Sequence, residues 1–261
     1  MDRMFAGWSI RRTAQVVTAA LVLVFTVLAS MSCGSGKHIS SDPALVKTRD
    51  SEQSLPSTSQ PVAAPGRVVV IGDSYTGGSD AGGYGDAGWP ALVWKRLKEQ
   101  GIQIDPQVSG RGGAGYVNRG TKGTVFGDEA AKLVNPADKL VVFFGGMNDG
   151  MVAPAEVAAA ARANFEKVRQ TAPNARLLVI GFAWPDAKRS QVLLNLRDAI
   201  KEEALAVGAT FVDPLADGWF DNTPPDFIGS DGVHPTNAGH AYMADKIEPY
   251  IREELLKAGV A

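Results

Sequence analysis

The stretch VVVIGDSYTGG, residues 68–78, decides the fold. Val68 to Ile71 are four consecutive apolar residues with no polar alternation. A short run of that kind reads as a strand buried on both faces, the habit of an interior parallel strand. Gly72-Asp73-Ser74 follows at once. A serine just past a buried strand is either a turn former or a side chain that the strand holds up for chemistry.

Working outward, apolar runs and amphipathic segments alternate. Strands are expected at 67–72, 102–108, 139–145, 176–182 and 209–213. Helices are expected at 89–100, with Pro90 in the first turn and Gly101 as the stop, and at 190–207, with Gly208 after it. A further helix opens at Pro154 and places Val157, Ala161, Phe165 and Val168 on one face. Thr236 can cap a last helix, which Pro249 is expected to kink or end. Five mostly apolar strands separated by helices predict an α/β fold: a mostly parallel five-stranded sheet between two helical layers. Functional sites of such sheets form beyond the carboxyl ends of the strands.

The chain has 261 residues, 45% of them hydrophobic, and a formal net charge of −2. That is enough for one α/β domain with extra segments, and the absence of a basic block argues against nucleic acid as a partner. Residues 1–33 read as an export signal: Arg3, Arg11 and Arg12, then an apolar run from Val16 to Ala29, then small residues. Cys33, the single cysteine, permits no intrachain disulfide. It stands where a bacterial lipoprotein would carry its lipid; an ordinary secretory cleavage nearby is the alternative. Residues 34–65, rich in Ser, Pro and Thr, read as a disordered linker. The folded domain is therefore expected over 66–261, exported and outside the cell, in the envelope or lipid-anchored. Membrane contact is expected only through the N-terminus, and the protein is expected to be a monomer.

Four stretches carry chemistry: Gly72-Asp73-Ser74; Ser109-Gly110-Arg111-Gly112-Gly113-Ala114-Gly115; Gly146-Met147-Asn148-Asp149; and Asp231-Gly232-Val233-His234. A serine hydroxyl needs a base to become a nucleophile, and His234 can serve. His38 lies in the linker, and His240 within the last helix reads as surface or packing. The base in turn needs a carboxylate to fix its tautomer, and Asp231 sits three residues before it. The developing oxyanion needs donors. Those available are the Ser74 amide, a glycine amide from 110–115 and the Asn148 side chain. Asp73 and Asp149 read as acceptors that hold loops.

These motifs, in this order from about Arg67 onward, resemble the SGNH hydrolases, the GDSL-type esterases and lipases. The resemblance implies a three-layer α/β/α, flavodoxin-like fold and a serine esterase. Ser74 is then the nucleophile, with His234 and Asp231 completing the triad and Ser74, Gly113 and Asn148 forming the oxyanion hole. The family usually has Asn at the place of Val108, so Gly110 and Gly112 stay open as alternatives to Gly113. Carboxylic esters of lipids, acyl groups or acetylated glycans are the implied substrates. Transfer of the acyl group to an envelope sugar or lipid hydroxyl by the same residues is the alternative.

Rival readings are weaker. Gly110-x-Gly112-x-x-Gly115 fits a dinucleotide fingerprint, but Tyr116 to Gly120 is a poor helix start. No Gly-x-Ser-x-Gly elbow is present. Asp80 and Asp86 in the glycine-rich loop 77–88 lack metal-site spacing, and neither metal nor cofactor is expected. That loop is expected to wall the cleft. Trp89, Trp184 and Trp219 are candidate pocket aromatics, with Trp89 the one best suited to the core.

Overall fold

The computed structural model describes residues 64–261. The expectations for the signal, for Cys33 and for nearly all of the linker fall outside these residues. The described chain forms five strands: β1 (Gly66–Gly72), β2 (Ile104–Gly110), β3 (Asp138–Phe144), β4 (Arg176–Ile180) and β5 (Thr210–Val212). Their order across the sheet is β2-β1-β3-β4-β5, and every pairing is parallel. Six helices connect them: α1 (Ser74–Gly77), α2 (Trp89–Glu99), α3 (Phe126–Leu133), α4 (Pro154–Thr171), α5 (Gln191–Ala206) and α6 (Asn237–Lys257).

The two faces of the sheet carry separate cores. Val68 and Val70 of β1 pack with Leu140, Val142 and Phe144 of β3 toward α2 and α6. Val69 and Ile71 pack with Val141 and Phe143 toward α3, α4 and α5. Successive side chains leave a strand on opposite faces, so a continuous apolar run is what two covered faces demand. The α4 stripe Val157, Ala161, Phe165 and Val168 is buried throughout, each larger side chain contributing roughly 1.5–3 kcal/mol. At the lower end of the sheet Arg67 pairs with the buried Asp138.

Three expectations need correction. β2 begins at Ile104 rather than 102, because the Ile102 amide donates back to Leu97 O at 2.9 Å and closes the end of α2. α6 does not stop at Pro249; it runs on to Lys257. Ile247, Ile251 and Leu255 are all fully buried on either side of the proline, and that packing outweighs one lost backbone bond. Trp219 is a core residue, buried against Phe144, and so does not line a pocket. Trp89 is buried as expected, and Trp184 packs half-buried on the α3–α5 side.

Candidate active site

β1 ends at Gly72, and the chain turns directly into α1. Asp73 caps that helix: its Oδ1 accepts from the Tyr75 amide at 2.9 Å. Ser74 thus stands on the first turn, largely buried. The other participant comes from the far end of the chain. The loop before α6 folds back on itself through an isolated bridge between Ile228 and Pro235 and a bond from Gly229 N to His234 O at 2.8 Å. The Tyr75 hydroxyl donates to Val233 O at 2.5 Å and ties this loop to α1.

The result is a contact across 160 residues: His234 Nε2 lies 3.0 Å from Ser74 Oγ. On its other edge, His234 Nδ1 lies 2.7 Å from Asp231 Oδ2. With Nδ1–H donating to that carboxylate, Nε2 is left to accept the serine proton. Asp231 Oδ1 accepts from the amides of Val233 and His234, both at 2.9 Å. These amides and the imidazole pull its carboxyl down to about 2, although its side chain is about half exposed. Hydrogen bonds to the charged form outweigh what little burial there is.

The glycine cluster follows β2 as a loop, and no helix begins until Phe126. A dinucleotide site, which needs a helix N-terminus at that point, is therefore not built here. The loop is pinned at both ends. Arg111 N donates to Gly72 O at 2.8 Å, and the Asp149 carboxylate accepts from the amides of Tyr116, Val117 and Asn118 at 2.7, 3.1 and 2.7 Å. Gly115 passes so close to Asp149 that a methyl group there would overlap the carboxylate. Gly113 has φ of +75°, a conformation that favours glycine. Among the described residues, the amides of Ser74, Gly112 and Gly113 donate to no protein acceptor, whereas those of Arg111, Ala114 and Gly115 are engaged. Gly113 and Gly112 therefore both remain free to donate.

Asn148 lies between these groups. Its Nδ2 donates to Ala114 O at 2.8 Å and to Asp73 Oδ2 at 3.2 Å. Asp73 faces a small space lined by Phe144, Gly145, Met147 and Phe182. Burial there pushes its carboxyl up to about 7. Asp149, held by its three amides, is also shifted upward by burial. Asp73 and Asp149 both act as loop-holding acceptors, as their positions in sequence suggested.

His240 belongs to the packing: fully buried, its Nδ1 accepts from Trp89 N at 3.3 Å, and burial pushes it down to about 4. Among the described residues, no group of three His, Cys, Asp or Glu is placed to hold a metal. Two clefts are lined by segments adjoining those that carry the serine and the histidine. One, of about 470 Å³, is walled by the 77–88 loop, α2 and the end of β2. The other, of about 300 Å³, lies against Pro185, Phe220 and the 223–232 loop.

Two features were missed in the sequence. α3 was not anticipated; its eight residues are too short a stretch for periodicity to declare. Arg111 stood inside the quoted glycine cluster but received no role, because its partner Glu129 lies on that unanticipated helix.

Residues 70–242 match the family model described as GDSL-like lipase/acylhydrolase. A GDSL lipase of Mycobacterium tuberculosis is 47% identical over 192 residues, covering 72% of this chain and 83% of that protein. Among solved structures, TesA superposes with a TM-score of 0.59 at 22% identity, over 72% of this chain and 99% of its own. A family two carbohydrate esterase from Clostridium thermocellum, in complex with cellohexaose, gives 0.55 at 19%, over 74% and 67%. At such identities the structural likeness speaks to the fold.

Proposed function

The chain belongs to the GDSL-like lipase/acylhydrolase family, whose members cleave carboxylic esters, and on that premise we propose that it does so through an acyl–serine intermediate on Ser74. One observation carries the proposal: the imidazole of His234 bridges the Ser74 hydroxyl and the Asp231 carboxylate at 3.0 and 2.7 Å. Ser74 Oγ attacks the ester carbonyl while His234 Nε2 takes its proton. Asp231 stabilises the imidazolium that forms. The tetrahedral oxyanion receives the Ser74 and Gly113 amides and an N–H of Asn148. The longer of the two Asn148 contacts, that to Asp73, is the one exchanged for the oxyanion. As the intermediate collapses, the bond to the alcohol oxygen breaks and His234 returns the proton to it. Water, deprotonated by the same imidazole, then attacks the acyl–serine and regenerates the hydroxyl.

The reading extends to location. The N-terminal 33 residues support export, so that the substrate is an envelope or extracellular ester rather than an intracellular metabolite. Immunodetection in cell fractions, with and without an alanine at Cys33, tests both export and lipid attachment.

The chemical step is tested by a fluorophosphonate. Labelling is expected on Ser74 alone and is expected to vanish in Ser74→Ala. Ser74→Ala and His234→Ala should each lower turnover of p-nitrophenyl esters by roughly three orders of magnitude or more. Retained labelling in Ser74→Ala, or near-normal turnover in either variant, refutes the assignment.

A further inference from the structure

The 470 Å³ cleft beside α1 is walled by Thr76, Gly77, Pro90, Trp94, Val108 and Arg111, among others. Arg111 is the one ionisable residue in that wall. Its Nε donates to Glu129 Oε2 at 3.1 Å. Glu129 is almost completely buried and also accepts from Ser109 Oγ at 2.7 Å and from Lys132 Nζ at 2.9 Å. The guanidinium is thus fixed at its inner nitrogen by a buried carboxylate. Among the described residues its outer nitrogens, Nη1 and Nη2, donate to no protein acceptor. One carboxylate also faces two cations here, Arg111 and Lys132, which leaves the cluster with one positive charge in excess.

A planar fork held at its base with both tips free is the arrangement that receives a carboxylate or phosphate in two parallel bonds. The cleft begins within two residues of Ser74, at Thr76, and Arg111 stands two residues before Gly113. Accordingly, we propose that this cleft is a specificity subsite for an anionic substituent of the ester, a carboxylate or a phosphate monoester, with Arg111 as its receptor and Glu129 as the residue that positions Arg111. The assignment rests on the esterase reading above and names the substrate class that the reading left open.

Two matched pairs of esters test it. The acyl side is probed by 4-nitrophenyl hexanoate against mono-4-nitrophenyl adipate, the alcohol side by monooctanoylglycerol against octanoylglycerol 3-phosphate. The readout is the ratio of kcat/KM within each pair, which cancels any general loss of activity in a variant. In one pair, Arg111→Gln should lower the charged-to-neutral ratio by at least about fivefold, and Arg111→Lys by less. Raising the salt to about 0.5 M should compress the wild-type ratio toward that of the variant. The pair that responds identifies the side of the ester seated in the cleft. Unchanged ratios in both pairs overturn the proposal. Failure of the esterase reading looks different, because the wild type then turns over neither neutral ester. In that event calorimetric titration of glycerol 3-phosphate and of monomethyl adipate decides: binding lost in Arg111→Gln supports the subsite, and equal titrations of wild type and variant overturn it.

Discussion

Two carboxylates near the proposed nucleophile sit in opposite environments. Asp231 is about half exposed and held at about 2 by amides and imidazole, so it stays charged well below neutral pH. The pH profile of kcat/KM should therefore show no step from Asp231 above about pH 4. Asp231→Asn, which removes the charge and permits the wrong tautomer, should lower kcat by about 10²–10⁴-fold. A loss below tenfold would show that Asp231 contributes little. Asp73, in contrast, is raised to about 7 by burial. The folded state then binds a proton that the unfolded chain has already released, so stability from this group is greatest below about 4 and declines as pH rises toward 7. Asp73→Asn lacks that titration. Its stability deficit, read from urea midpoints, should shrink between pH 4 and pH 8; a constant deficit would mean that Asp73 is charged throughout. The triad candidates were legible in the sequence, because Ser74, His234 and Asp231 each stand in a short motif. The acceptors of Asn148 and the anchoring of Arg111 were not, because each depends on contacts 18 to 75 residues away.

At the scale of elements, the segment 225–237 determines where His234 points. Thr236 links it to α6: its Oγ1 accepts from the Gly239 amide at 3.2 Å and donates to Asp226 O at 2.6 Å. Thr236→Ala should cost about 0.5–2 kcal/mol by urea denaturation. It should also lower kcat more than it alters KM, since the imidazole loses its mooring and the clefts are untouched. Restoration of both by Thr236→Ser would assign the effect to the hydroxyl. On the opposite face, Phe165 of α4 packs between Tyr116 and Phe143, and Phe165→Ala should cost about 3–5 kcal/mol. The start of α4 at Pro154 and both ends of α5 were readable to within a residue. The cap at Thr236, with Gly101 and Gly208 as stops, gave local chemistry to read. Pro249 misled because a local rule about a missing donor does not see the buried face of α6. β2 misled because Ile102 is apolar whether it closes a helix or begins a strand.

For the whole molecule, the topology explains why residues so far apart in sequence can act together. β1 lies between β2 and β3, so the ends of these three adjacent parallel strands bring Ser74, the glycine loop and Asn148 to one rim. α6, packed with α2 on one face of the sheet, delivers the preceding loop to that rim. The fold also closes on itself: a Cβ on Gly66, at the start of β1, would come within 2.6 Å of Val260. Among the described residues, every member of the two apolar cores lies between Val68 and Val260. With residues 34–65 read as a linker, a chain beginning at residue 64 should match the full chain in thermal midpoint and in kcat/KM toward soluble esters. Because the serine and its base come from opposite ends of that unit, ester hydrolysis and tryptophan fluorescence should be lost together in a single denaturant transition. Val260→Asp, which buries a charge where the two ends meet, should lower the midpoint of both signals equally. Activity lost well before fluorescence would mean instead that the α6 loop detaches from a sheet that remains folded, and a higher midpoint for the full chain would assign residues 1–63 a share in the stability of the domain.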